Sequence, residues 1–167
     1  MSEQNFGEIS VSIEKLAEVY GIPVEKYVSS ITGSTQSALF EELVAQKLNG
    51  ERVVGKQLEW DVEAPHRELK KIEVRNVCNC PISFAPSTAT GKGRFFDEED
   101  FLNKLSKIDS YVICDLRKRL TEPVKLYEIP ATLVKKLYCN GELNKDAKLG
   151  QSKFFERFSH EEYGLRP

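Results

Sequence analysis

Between Leu58 and Val77 apolar and charged residues alternate with a period of two, interrupted once at Pro65 to Glu68. That period sends successive side chains to opposite faces of a strand, so the stretch predicts two strands joined by a short turn. In the first strand Leu58, Trp60, Val62 and Ala64 share one face, and Glu59, Asp61 and Glu63 the other. In the second, Ile72 and Val74 oppose Lys71, Glu73 and Arg75. One side of the hairpin is therefore apolar. The other gathers four carboxylates, one lysine and one arginine. Such a face is either a solvated sheet surface crossed by ion pairs or a set of hard oxygen ligands and cations suited to phosphoryl chemistry.

The rest of the composition narrows the choice. A chain of 167 residues with 40% hydrophobic and 30% charged residues suits one globular domain with room for a small appendage. No apolar run is long enough to span a bilayer. The start, MSEQNFGEIS, has neither a basic stretch nor an apolar signal core, which points to the cytoplasm rather than secretion. Cys78 and Cys114 fall in strand-like apolar runs and suit reduced thiols. Cys80 is separated from Cys78 by a single residue, and His66 and His160 have no paired histidine nearby, so the spacing argues against zinc.

The net charge of −2 hides an asymmetry. Residues 1–64 hold five basic and eleven acidic side chains, a balance of −6, and the remaining 19 and 15 give +4. Within the basic half, Arg67, Lys70, Lys71, Arg75, Lys92 and Arg94 face only Glu68 and Glu73 between His66 and Arg94. Arg117 to Lys136 again carries six basic residues against two acids. Positive regions beside a carboxylate cluster are what a protein acting on a polyanion needs.

Residues 1–33 read as an N-terminal helical hairpin and 34–167 as the main domain. Ile13, Leu16, Ala17 and Tyr20 form one helical face, and Val24, Tyr27, Val28 and Ile31 a second, with the break at Gly21-Ile22-Pro23. The pair resembles the front of a helix-turn-helix unit, although a plain packing hairpin fits its second helix better. Ile31 to Gln36 reads as a loop. Ser37 to Gly50 is then a helix with Ser37, Glu41, Val44, Ala45 and Leu48 along one side, so Glu41 lies on the inward stripe and needs a partner. Asp97 to Lys107 predicts a helix with Phe101, Leu102 and Leu105 inward. Ser110 to Leu116 reads as a buried central strand, and Val124 to Ile129 as another. Helices follow from Pro130 to Leu137 and from Gln151 to Phe158. The segment from Cys78 to Phe96 reads as irregular, with a strand fragment at Ile82-Ser83-Phe84.

This order, over roughly Ser34 to Ile129, resembles the αβββαβ core of the PD-(D/E)XK, or restriction-endonuclease-like, superfamily. The resemblance implies an α/β fold with a mixed central sheet flanked by helices. It further implies a site built from an acid on the preceding helix, an Asp near the end of the second strand and a Glu-x-Lys on the third. Glu41, Asp61 and Glu73-Val74-Arg75 stand at those places. Arg75 departs from the pattern, because arginine stays protonated and cannot act as a base, although it can donate two hydrogen bonds to a phosphate.

On this resemblance the chain is expected to be a Mg²⁺-dependent DNA endonuclease of the type II restriction kind, with Mn²⁺ able to substitute. Asp61 and Glu73 would bind the metal, Glu41 would support them and Arg75 would steady the transferring phosphate. Lys92, Arg94, Ser83, Thr90 and Lys71 would contact double-stranded DNA. A twofold homodimer would match the symmetry of a palindromic target. The competing expectation is a non-catalytic DNA-binding protein that uses the N-terminal helices as a helix-turn-helix and keeps the nuclease-like sheet as scaffold.

Overall fold

The computed structural model describes residues 7–10, 12–30, 34–55, 59–86, 95–119 and 121–166. Its centre is a mixed six-stranded sheet with helices on both faces. The strands of that sheet are β1 (Glu8–Ile9), β2 (Glu51–Arg52), β3 (Val62–Glu63), β4 (Lys71–Val77), β6 (Ser110–Asp115) and β7 (Val124–Pro130). Their order across the sheet is β1-β7-β6-β4-β3-β2. Strands β2, β3 and β4 form an antiparallel meander, with Arg52 opposite Val62 and Val62 opposite Ile72. The chain then crosses over and β6 returns parallel to β4, with Glu73 beside Tyr111 and Arg75 beside Ile113. Strand β7 runs antiparallel to β6, and β1 closes the margin beside β7. A separate two-stranded sheet pairs β5 (Ile82–Ser83) with β8 (Lys148–Leu149).

The helices are α1 (Ile13–Tyr20), α2 (Val24–Ser30), α3 (Ser34–Lys47), α4 (Glu98–Lys107), α5 (Ala131–Cys139) and α6 (Gln151–Phe158). Helix α3 covers one face of the main sheet. Its Phe40, Val44 and Ala45, with Leu48 just past its end, pack on Val62, Ala64, Ile72, Val74, Val112 and Cys114. Helices α4, α5 and α6 cover the other face, where Phe101, Val134 and Phe154 meet Tyr111, Ile113 and Ile129. Strand β6 is buried on both faces, which is why it reads as an unbroken apolar run.

The crossover helix α4 is strongly specified. Asp97 caps it by accepting from the Asp100 amide at 2.9 Å. Glu98, Glu99 and Asp100 lie in its first turn and Lys104 and Lys107 in its last, each suiting its end of the helix dipole. At the N-terminus, α1 and α2 form the expected hairpin. Gly21 adopts φ 63° and its amide donates to Ala17 and Glu18, and Tyr20 stacks on Tyr27 at 5.7 Å. The strand β1 just before this hairpin belongs to the main sheet.

Several local readings change. The helix expected from Ser37 begins at Ser34, and Ser37 is exposed rather than on the packed stripe. The first hairpin strand shrinks to Val62–Glu63, and Trp60 does not share a face with Val62 and Ala64. It packs instead against the cluster under α4, with the Lys71 ammonium 4.4 Å from its ring centre. Leu58, expected to open that strand, and Ile31, expected on the second N-terminal helix, lie outside the described residues. The turn also widens to span Ala64 to Lys70, closed by Ala64 donating to the Lys70 carbonyl. Within this turn the Arg67 guanidinium pairs with both oxygens of Glu128 on β7, at 3.1 and 2.8 Å.

Candidate functional site

The odd-numbered residues of β4 face α4, and this is where the charged cluster forms. Glu73 is only 3% exposed. Its Oε1 lies 2.6 Å from Arg75 Nη2 and its Oε2 2.6 Å from Lys104 Nζ. The charged side of the hairpin is therefore not an open surface crossed by ion pairs. It is roofed by α4, which contributes a cation of its own.

Asp61 enters from just before β3. Its backbone is held on both sides, with its amide donating to Ile72 and its carbonyl accepting from Val53. Its Oδ2 accepts from the Val74 amide at 2.8 Å. Burial and the negative charge of Glu73 push the Asp61 carboxyl up to about 6, and Glu41 acts in the same direction, against the Val74 amide and Arg75. The carboxylates of Asp61, just before β3, and of Glu73, on β4, are thus close enough to repel each other.

Glu41 stands on α3 and bonds Arg52 of β2 through Arg52 Nε to Glu41 Oε2 at 2.8 Å. Arg52 is the partner that the inward position of Glu41 demanded. Glu41 thus joins the cluster through its charge rather than by a contact.

The polar atoms around Arg75 are fixed by the irregular segment that follows β5. Arg75 Nη2 also donates to the Ala85 carbonyl at 3.0 Å, and the Tyr111 hydroxyl donates to the Phe84 carbonyl at 2.7 Å. Phe84 is itself tied back through its amide to Ala147. Burial raises the Tyr111 hydroxyl well above the ordinary tyrosine range, so it stays a neutral donor. Arg75 is therefore aimed from two sides, by Glu73 on its own strand and by a backbone carbonyl.

Lys104 is the site residue that sequence reasoning missed. It is 9% exposed, and desolvation lowers its ammonium pKa against the opposing pull of Glu73. A signal was present, since Phe101, Lys104, Leu105 and Ile108 space as one inward helical stripe. A lysine on that stripe has to find a carboxylate. Three residues on, Lys107 pairs with Glu59, so two lysines of α4 straddle the charged face.

The structure thus brings Asp61, Glu73 and Arg75 together, with Glu41 within electrostatic reach. Lys71 is on the same strand but lies over the Trp60 ring. Ser83 lies on β5 with its Oγ buried and without a hydrogen-bond partner. Thr90, Lys92 and Arg94 lie outside the described residues.

No group of three or more His, Cys, Asp or Glu able to hold a metal occurs among the described residues. Asp61 and Glu73 are the two carboxylates that could take a hard cation. Magnesium characteristically uses one or two carboxylates and fills its remaining positions with water and substrate phosphate oxygens, so two carboxylates would suffice in number. The fit has a condition, because both Glu73 oxygens already face cations. No family model matches the chain, and neither the curated proteins nor the solved structures contain a match to it.

Proposed function

We propose that the protein is a Mg²⁺-dependent DNA endonuclease with a restriction-endonuclease-like core, sequence-selective and acting as a homodimer. The observation that carries this reading is the meeting of Asp61, Glu73, Arg75 and Lys104 in one half-closed cluster. The pairing pattern supports it: a helix, a three-strand antiparallel meander, a crossover helix and a parallel strand, as in the αβββαβ arrangement.

Asp61 and Glu73 would hold the cation, which lowers the pKa of a bound water and polarises the phosphate. The protein's own groups do the rest. Arg75 Nη2 leaves one Glu73 oxygen and donates to a non-bridging phosphate oxygen, where its fixed charge offsets the negative charge of the phosphorane. Hydrolysis forms a bond from the water oxygen to phosphorus and breaks the bond to the leaving sugar oxygen. The water proton passes to solvent, and the sugar oxygen takes up a proton from solvent.

A second reading keeps the scaffold without turnover. The saturation of both Glu73 oxygens by Arg75 and Lys104 favours it, because a balanced cluster has less need of a divalent ion. DNA would then be bound in part by the α1–α2 pair, used as a helix-turn-helix.

The test is cleavage of plasmid DNA with Mg²⁺ or Mn²⁺, beside Glu73→Gln with its folding checked by circular dichroism. Discrete fragments from the native chain, absent for the variant, are expected. DNA binding that survives Glu73→Gln and needs no divalent ion, with no cutting over a broad DNA panel, would shift the assignment to the binding protein.

A further inference from the structure

We infer that Cys78, the residue just after β4, is a peroxide-reactive thiol, and that Cys80 resolves its oxidised form into an intrachain disulfide. The inference does not rest on the hydrolytic reading above, because neither cysteine belongs to the cluster of Asp61, Glu73, Arg75 and Lys104.

Three observations converge on Cys78. The Leu116 amide donates to the Val77 carbonyl at 2.8 Å, and the turn that follows brings Arg119 back to the end of β4. There Arg119 Nη1 lies 3.4 Å from Cys78 Sγ and 3.1 Å from the Leu116 carbonyl. Arg119 pairs with no carboxylate among the described residues. Its charge therefore meets a thiol where an arginine usually meets an anion. The second observation is Asn76, whose Oδ1 is buried without a hydrogen-bond partner. Asn76 is in register with Cys114, and both Cys114 and Cys78 pack in the cluster under α3, so Asn76 and Cys78 share the α3 face. A thiol is a weak donor to such an oxygen, whereas a sulfenic acid at Cys78 would bring an O–H to that face. Finally, Gln151 Nε2 donates to the carbonyls of both Cys78 and Cys80, at 3.1 and 2.7 Å. One side chain thus gathers the two residues, with Cys80 exposed and Cys78 half-buried.

The chemistry follows from the pairing of thiol and guanidinium. Arginine keeps its proton, and a guanidinium beside a thiol favours the thiolate, which is the nucleophile. The Cys78 sulfur attacks one peroxide oxygen, the O–O bond breaks and hydroxide leaves, giving a sulfenic acid. The Cys80 thiol loses its proton to solvent and attacks the Cys78 sulfur. The S–S bond forms, the S–O bond breaks, and the oxygen leaves as water with a proton from solvent. The peroxide gains the two electrons that the two thiols give up. Cys114 takes no part, because it is fully buried and burial pushes its thiol far above the ordinary range. Cys139, exposed at the end of α5, is a thiol on another element for comparison.

The experiment treats the full chain with hydrogen peroxide near neutral pH, stops the reaction with an alkylating agent and maps the products by mass spectrometry. Trypsin leaves Cys78 and Cys80 together on residues 76–92, so the disulfide appears as that peptide, unalkylated and short of two hydrogens. Cys78 should be oxidised at least about tenfold faster than Cys139, the scale on which a favoured thiolate outpaces a plain thiol. In Cys80→Ser, dimedone should trap a sulfenic acid at Cys78. Arg119→Met should slow the oxidation of Cys78 by about tenfold, and Arg119→Lys should keep most of the rate, with thermal melting recorded for both. Oxidation of Cys78 no faster than that of Cys139 would overturn the inference, and this comparison uses the native chain alone, so it holds even where Arg119→Met fails to fold. A folded Arg119→Met chain within about twofold of the native rate would overturn it as well. Links between chains in place of the looped peptide would remove the part given to Cys80.

Discussion

Asp61 Oδ2 accepts the Val74 amide at 2.8 Å, so the peptide joining Glu73 to Val74 is bonded to a carboxylate just before the adjacent strand. One bond therefore sets the distance between the two acids of the cluster and the aim of the arginine beyond them. Losing the charge at Asp61 and losing its acceptor oxygen have different consequences, and the variants below separate them.

Asp61→Asn keeps an acceptor for the Val74 amide and removes the repulsion with Glu73. The folded pKa of Asp61 is about 6, above the ordinary value of 3.8, so the native state binds more protons than the unfolded state between those values. Its contribution to stability is fully present below about pH 3.8 and is lost as pH rises through 6. The amide of the variant carries no such dependence. Asp61→Asn should therefore gain up to about 3 kcal/mol over the native chain at pH values above the folded pKa, and the gain should vanish near the unfolded one. Urea denaturation at several pH values measures this. A stability difference independent of pH would rule out the proposed strain.

On the proposed function, the same proton would compete with a cation for the Asp61 carboxylate. Mn²⁺ binding should weaken as pH falls from about 7 to about 5, more steeply than a carboxylate of ordinary pKa would produce. Titration calorimetry across that range checks it, with Asp61→Asn expected to bind weakly at every pH.

Glu73→Ala should destabilise the fold by about 3–5 kcal/mol, because it leaves Lys104 and Arg75 unpaired under α4. Glu73→Gln keeps oxygen and shape and should cost less. If adding Lys104→Met to Glu73→Ala recovers most of the loss in chemical denaturation, then the unpaired charge, rather than a cavity, was the cost.

Glu128 accepts from both Arg67 and Ser110, while Arg67 also donates to the Arg166 carbonyl. This joins the hairpin loop, two central strands and the C-terminal end. Glu128→Leu should lower stability by about 3 kcal/mol, the cost of leaving a largely buried guanidinium unpaired. It should also speed carboxypeptidase trimming from the C-terminus. Unchanged trimming would show that the C-terminal end is held by other contacts, such as Leu165 in the core.

What the sequence disclosed follows from which forces act locally. Periodicity and caps marked the helices and the central strands, because buried stripes and chain breaks leave traces within a few turns of chain. Ser110 to Asp115 and Gln151 to Phe158 were legible for this reason. The two-residue strands β1 and β8 were not, since nothing in two residues distinguishes a strand from a loop. Trp60 departs from the expected face because it precedes β3, where period two does not yet govern side-chain direction. In the candidate site, Glu73 and Arg75 share one face of β4 and Asp61 immediately precedes its partner strand β3, so alternation could group them. Lys104 is brought in by a helix packing on the sheet, and only the tertiary fold reveals which carboxylate it meets.

Both margins of the main sheet are two-residue strands, Glu8–Ile9 on one side and Glu51–Arg52 on the other. The longer strands β4, β6 and β7 lie inside, with their hydrogen bonds spent on each other and on β1 and β3. A stray polypeptide seeking to extend such a sheet finds a charged rung or two instead of a long template. Among the described residues, the sheet thus ends in margins that offer little backbone for another strand to copy.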